Sequence, residues 1–259
     1  MSTDQTAARR SPFDLTGKLA VVTGAGRGLG QGVALGLAEA GADLVLVGLP
    51  DSQTETEKQV RELGRDVEVI DLDMGDHAAV AAAGAQISAN HQVDILVNNA
   101  GIIDRHDTVD VTDESWNKVL DINLSGLFFL TQHIGTPMVE RGHGKIVSIA
   151  SLLAFQGGIR VISYTASKHG VAGITKALAN EWGAYGVQVN AIAPGYMATD
   201  NTTALREDAD RARAILDRIP AGRWGSPEDV AGAAVFLSSA AADYVNGHVL
   251  VVDGGWMAR

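Results

Sequence analysis

The sequence predicts a single Rossmann-like, doubly wound α/β domain of about seven parallel strands flanked by helices, and three observations carry that prediction. Short runs rich in β-branched residues alternate with longer Ala/Leu/Gly-rich stretches of helical period, and the runs are apolar throughout, as strands covered on both faces must be. A glycine-rich turn stands where the first strand meets the first helix. No Pro/Ser-rich linker, internal repeat or low-complexity segment divides the 259 residues, a length that α/β folds reach as one unit.

KLAVVTG is the first strand, followed by the helical stretch GQGVALGLAEAG. DLVLVG, the segment from Glu55 to Leu63 and DVEVIDL read as strand, helix and strand. The alternation continues through Ala78 to Asn90, DILVNNAG, Trp116 to Val139, KIVSIAS, Ala166 to Trp182, VQVNAIAPG, Glu228 to Ser239 and HVLVVDGG. Strands separated in this way by helices pair in parallel. The interval from Pro194 to about Gly225 lacks strand character, and a long excursion past a strand's carboxyl end is where such folds place a substrate lid, here about 195–225. The first fourteen residues, MSTDQTAARRSPFD, have no apolar stretch of the signal-peptide kind and are expected to form a flexible polar arm, leaving 15–259 as the folded unit.

Composition narrows the function. Apolar residues make up 46% of the chain and charged ones 20%, enough for a large core. The net charge of −11 argues against nucleic acid or an anionic membrane surface as partner, and it repels any anionic substrate at long range. Such a substrate would need arginines at the site itself. There is no cysteine, so no disulfide, thiolate chemistry or Cys-ligated metal is expected, and the seven histidines show no HExxH or comparable spacing. No apolar run is long enough to span a bilayer, and the expected compartment is the cytoplasm.

The turn TGAGRGLG, Thr23 to Gly30, carries the first functional signal. Glycines at Gly24, Gly28 and Gly30 permit a tight turn and close backbone approach, with free amides at a helix N-terminus aimed at a dinucleotide pyrophosphate; Arg27 and Leu29 lie within the same turn. At the end of the second strand, where an Asp or Glu would accept the adenosine ribose hydroxyls, stands Gly48. Without that carboxylate a 2′-phosphate is not repelled and Arg27 could reach it, whereas Asp51 would oppose it. NAD and NADP both remain open.

The second signal is the order Ser-x12-Tyr-x3-Lys formed by Ser151, Tyr164 and Lys168. If the segment from Thr165 to about Gly183 is helical, Tyr164 and Lys168 lie one turn apart on one face. An ammonium beside a phenol favours phenolate, so the spacing predicts a Tyr164 pKa drawn down from about 10 toward working pH, suited to general acid/base chemistry. Ser151, ending KIVSIAS, can hold a substrate oxygen. These parts suit proton transfer to or from a carbonyl or alcohol oxygen.

With TGAGRGLG, NNAG at 98–101, Asn123 in DINLSG, the Ser151/Tyr164/Lys168 set and PGYMAT at 194–199, the chain resembles the short-chain dehydrogenase/reductase family over residues 15–255. The resemblance implies Tyr164 as the acid/base, Lys168 as its pKa depressor and nicotinamide-ribose clamp, Ser151 as the substrate-oxygen anchor and Asn123 as holder of a relay water. It places Asp73 and Met74 beside the adenine, Asn99 and Ala100 along the cofactor cleft, and Ile192, Pro194, Gly195 and Thr199 near the nicotinamide end. Asn98 and Gly101 are expected to be structural turn residues. Gly48 is the departure, and it bears on cofactor choice alone.

The stretches SLLAFQGGIRVISYTASK, NEWGAYGVQVNAIAPGYMATDNT and DYVNGHVLVVDGGWMAR are similar to those of the family's sugar-acid dehydrogenases, which act on 2-dehydro-3-deoxygluconate, 2-deoxygluconate or gluconate. Such substrates carry a carboxylate, and Arg105, just after NNAGIID, and Arg160, just before Tyr164, are the candidate partners. The likeness also implies a homotetramer, with the helices around 116–139 and 165–183 at one interface and VDGGWMAR near another. A 3-oxoacyl or keto-ester reductase would want a basic surface for an acidic carrier, which a charge of −11 disfavours. A non-catalytic dinucleotide sensor would leave the complete catalytic set without purpose.

Overall fold

The computed structural model describes residues 11–259. Seven parallel strands form one sheet in the order β3-β2-β1-β4-β5-β6-β7: β1 Leu19–Thr23, β2 Asp43–Gly48, β3 Val67–Asp71, β4 Ile95–Asn98, β5 Gly144–Ile149, β6 Val187–Pro194 and β7 Val249–Val252. The chain steps back across the sheet between β3 and β4, so β1 and β4 are neighbours joined by a crossover. That reversal opens a crevice at their carboxyl ends, where open α/β sheets bind ligands.

Alternation along each strand distributes the core. Ala20, Val22, Leu44 and Leu46 face one layer with α1 (Gly28–Glu39) and α9 (Pro227–Ser238), while Val21, Val45 and Val47 face the other with α3 (His77–Asn90) and α5 (Leu127–Arg141). Leu37, Leu46, Ile87, Ile134 and Met138 are among the side chains removed from water, each worth about 1.5–3 kcal/mol by burial. The remaining helices are α2 Thr54–Glu62, α4 Asp113–Leu120, α6 Ile162–Trp182, α7 Thr203–Glu207 and α8 Ala209–Leu216. Local chemistry sets several starts: Asp76 accepts from the amides of Ala78 and Ala79 at α3, and Ser226 and Asp229 form a capping box at α9 with Pro227 in its first turn.

Two details depart from the sequence reading. The stretch from Trp116 to Val139, which has one uninterrupted helical pattern, is broken by a π-helical turn over Asp121–Gly126 between α4 and α5. Helix α6 begins at Ile162, ahead of Tyr164. Of the polar arm expected over 1–14, residues 1–10 lie outside the described residues; beyond them, Pro12 accepts from the amide of Ala241 and the Phe13 ring lies 6.4 Å from that of Phe236. The excursion over 195–225 carries α7 and α8, and its base is pinned where the amide of Ala198 donates to Gly225 and that of Gly225 to Tyr196. Among the described residues no helix is long and apolar enough to cross a membrane.

Candidate active site

The carboxyl ends of β1, β4, β5 and β6 supply the walls of one cleft. At the β1 end the turn into α1 places Gly24 and Gly28 at φ +63° and +55°, conformations that strain any residue with a Cβ. A Cβ on Gly30 would overlap the Gly24 carbonyl and the Asn99 amide, so the backbone there is packed closer than any side chain permits. Helix α1 has no side-chain cap and no acidic residue in its first turn. Its leading amides are therefore left for an external anion, which fits the pyrophosphate of a dinucleotide. Asn99 locks the turn from β4, donating to the carbonyls of Thr23 and Gly24 at 2.9 and 3.0 Å, and the Ala100 amide donates to the Thr23 hydroxyl oxygen at 3.0 Å. Thr199 closes the turn from the β6 side, with its methyl 3.6 Å from where a Cβ on Gly28 would stand. Leu29 is half-buried against the core.

Other residues expected along the cofactor are divided by the structure. Asp73 is exposed past the end of β3, where its carboxylate accepts from the Gly75 amide; Met74 is buried in the core. Pro194 ends β6, and Gly195 is held by a bond to Val252. Ile192 is fully buried among core side chains and its carbonyl is taken by the Ala150 amide, so its side chain has no surface toward the cleft. At the end of β2, a Cβ on Gly48 would overlap the amide of Gln53, a buried side chain that the sequence reading missed. With its oxygen facing the Gly48 amide, Gln53 accepts from it at 2.7 Å and donates to the Leu49 carbonyl. Arg27 is not free over this corner: its guanidinium pairs with Asp200 at 3.3 Å, and both side chains are exposed.

The catalytic candidates come together. Ser151 follows β5 and takes the Leu153 amide on its hydroxyl oxygen at 3.2 Å. Tyr164 stands in the first turn of α6, and Lys168 is one turn further on with Nζ 5.4 Å from the centroid of the phenol ring. Asn123, in the π turn, is fully buried: its amide donates to the Ile102 carbonyl at 2.9 Å and to Ser167 at 3.3 Å, and its oxygen accepts from the Ile102 amide at 2.8 Å. Gly101 is more than turn chemistry, since a Cβ there would stand 3.2 Å from the Asn123 oxygen and 3.8 Å from Lys168 Nζ. Asn98 is structural, tying β4 to α5 and β5 through Thr131 and Ser148.

Electrostatics corrects one expectation. Burial pushes the Tyr164 phenol above its ordinary 10, with a hydrogen bond to Ser151 and the charge of Arg105 pulling the other way. Burial also depresses Lys168, to about 8. With its pKa near 8, Lys168 loses its proton before a phenol held above 10 titrates, so no ammonium is there to draw the phenol down; its hydrogen bond goes to the Ile149 carbonyl at 2.6 Å.

The two arginines separate. The charge of Arg105 favours the ionised form of the phenol. Arg160 is turned away to Asp107, with its Nε 3.2 Å from the carboxylate. An aromatic group that periodicity could not reveal, Tyr196, Trp224 and Trp256, joins the base of the 195–225 excursion to the C-terminus: the Tyr196 ring centroid lies 5.7 Å from Trp224 and 4.7 Å from Trp256. Leu152, next to Ser151, packs in the same cluster with Ile215 and Ile219.

A dinucleotide cradle at the switch point of the sheet, joined to a Ser/Tyr/Lys set, defines a nucleotide-dependent oxidoreductase fold. The chain belongs to the short-chain dehydrogenase/reductase family: the family model described as Enoyl-(Acyl carrier protein) reductase matches residues 24–257. Among its relatives, the 2-dehydro-3-deoxy-D-gluconate 5-dehydrogenase of Bacillus subtilis is 56% identical over 247 residues, 95% of this chain and 97% of that one. A crystal structure from Agrobacterium tumefaciens, provisionally described as a 2-deoxy-D-gluconate 3-dehydrogenase and holding NADP, is 55% identical with a TM-score of 0.92, over 96% of this chain and 100% of its own. A gluconate 5-dehydrogenase from Burkholderia cenocepacia, in complex with NADP and tartrate, is 39% identical with a TM-score of 0.92, covering 96% and 98%.

Proposed function

We propose that this protein is an NAD(P)-dependent oxidoreductase that interconverts a hydroxyl and a ketone on an open-chain sugar acid of the 2-dehydro-3-deoxygluconate, 2-deoxygluconate or gluconate type. One observation carries the reading: in a chain of net charge −11, Arg105 follows the carboxyl end of β4, on the same edge of the sheet from which Ser151 follows β5. A cation for a carboxylate and an acid/base for a hydroxyl then share one cleft. The kinship supports it, since relatives of this length act on such acids and one solved relative holds tartrate, a hydroxy acid, with NADP.

In the oxidative direction the substrate hydroxyl, oriented by Ser151, gives its proton to Tyr164 as the C–O bond becomes a carbonyl. A bound nicotinamide would supply the hydride acceptor for the same carbon. The ionised phenol is the required form, and the Ser151 hydrogen bond and the Arg105 charge oppose the burial that disfavours it. Lys168 would hold the nicotinamide ribose, and Gly24, Arg27, Gly28, Leu29 and Gly30 the pyrophosphate. Both amide protons of Asn123 are spent on the protein, which leaves an acceptor position for a relay water. The 195–225 segment would cover the substrate. The relatives with NADP and the absence of a carboxylate at Gly48 favour acceptance of the 2′-phosphate. We also propose a tetrameric assembly, with α4, α5 and α6 at one interface and the C-terminal VDGGWMAR near another.

A matrix of NAD and NADP against a panel of sugar acids and their neutral alditols, followed at the nicotinamide absorbance, tests the reading. A clear preference for the acids, with much lower KM than on the slowly turned-over alditols, is the expected result. Turnover of 3-oxoacyl esters with none on sugar acids would overturn it.

A further inference from the structure

Two loops border the mouth of the cleft: 104–111, which carries Arg105 past the end of β4, and 155–161, which leads into α6 and Tyr164. They meet twice. The His106 amide donates to the Arg160 carbonyl at 3.1 Å, and Arg160 Nε lies 3.2 Å from the Asp107 carboxylate. Arg160 reaches both partners from a left-handed backbone, φ +64°, and Asp51 is the only other non-glycine with positive φ among the described residues. A side chain held in that region persists when its surroundings over-determine it, and such strain gathers at functional sites. Here the two contacts to 106–107 supply the determination.

The other flank of Arg105 is anchored as well. Asp104 accepts from the Ser115 hydroxyl of α4 at 2.6 Å and from the Arg105 amide at 2.9 Å, and His106 Nε2 lies 2.9 Å from the same carboxylate. Arg105 is thus bracketed by a tie to α4 on one side and a tie to Arg160 on the other. Holding a flexible cation in its binding position before the ligand arrives lowers the ordering cost of binding.

We propose that Asp107 and Arg160 form a clasp that fixes Arg105 over the cleft, so that Arg160 is a positioning residue for sugar-acid recognition and does not itself touch the substrate's carboxylate. The inference rests on the reading of Arg105 as the carboxylate's partner. It assigns to Arg160 and Asp107 a part in specificity that neither has by contact with substrate. Both side chains of the clasp are more than half exposed, at 57% and 64%, so its effect is expected to be modest.

The test is steady-state kinetics of the full-length protein on a sugar acid and on the matching neutral alditol, for D107N, R160Q, R160K, R105A and the R105A/R160Q double variant. D107N and R160Q should each raise KM for the acid by roughly threefold, the size expected of an exposed ion pair. Values of kcat, and KM for the alditol, should be unchanged. R160K, which keeps the charge, should recover part of the loss, and R160Q should add nothing once Arg105 is gone. If R105A raises the acid's KM but D107N does not, the clasp falls while the carboxylate reading stands. If R160Q adds its full effect in the R105A background, Arg160 acts on the substrate directly and the proposal is overturned. If R105A itself leaves the preference for acid over alditol intact, the carboxylate reading fails, and the clasp fails with it.

Discussion

The ammonium of Lys168 lies 5.4 Å from the centre of the Tyr164 ring, and its hydrogen bond goes to the Ile149 carbonyl, 2.6 Å away. Ser151 and the charge of Arg105 favour the ionised phenol, and burial opposes it. The proton inventory of the cleft therefore differs from the one that spacing alone suggests, and three measurements follow from it.

Tyr164 is held above its ordinary pKa, so the phenolate needed for oxidation grows as pH rises. Oxidation of the sugar acid should accelerate toward alkaline pH, and reduction, which needs the protonated phenol, should slow. Tyr164→Phe should cost 10²–10⁴-fold in turnover, the usual contribution of general acid/base catalysis, with cofactor affinity near normal. A flat profile in both directions, with chemistry rate-limiting, would contradict this.

Arg105→Ala removes a charge that pulls the phenol down, so the alkaline limb of kcat on a neutral alditol should move to higher pH. The same change should raise KM for the acid through loss of a charge-assisted pair, worth about 1.5–3 kcal/mol. Arg105→Lys should fall between, since it has charge without the planar fork. An unmoved limb would show that the guanidinium does not face the phenol.

Lys168 gives a stability test whose sign is fixed by linkage. Its folded pKa, about 8, is below the usual 10.5, so below pH 8 both states keep the proton and the fold bears the full burial penalty. Between about 8 and 10.5 the folded state sheds the proton while the unfolded state keeps it, and stability rises with pH. Relative to Lys168→Met, the wild type should gain up to about 3 kcal/mol across this window, measured by denaturant unfolding without cofactor. A constant difference from pH 7 to 10 would show that the ammonium is not desolvated.

Gly48→Asp should shift the kcat/KM ratio toward NAD, by adding an acceptor for the ribose hydroxyls and repelling a 2′-phosphate. It should also lower the thermal midpoint, because the new Cβ overlaps the Gln53 amide. Gln53→Ala in the same chain should restore part of that stability and keep the shift. Arg27→Ala should do little to the NADP preference while the guanidinium is held by Asp200. A selective loss of NADP in that variant would mean that the pair opens when cofactor binds.

The sequence by itself determined the seven strands, the glycine turn and the adjacency of Tyr164 and Lys168. Each is written in short-range pattern: apolar runs of strand length, glycines where a backbone must turn, and a spacing of four on a helix. Tertiary structure decided what depends on residues distant in the chain. The π turn around Asn123 interrupts a stretch whose helical pattern is unbroken, and the contacts that hold it there come from Ile102 and Ser167. Arg105 and Arg160 look alike in sequence, yet the charge of Arg105 favours the ionised phenol and Arg160 pairs with Asp107. Gln53 beneath Gly48 and Asp200 beside Arg27 were equally hidden. The direction of the Tyr164 shift was the hardest to foresee, because a neighbouring charge can be read from spacing, whereas desolvation is set by every element packed around the phenol.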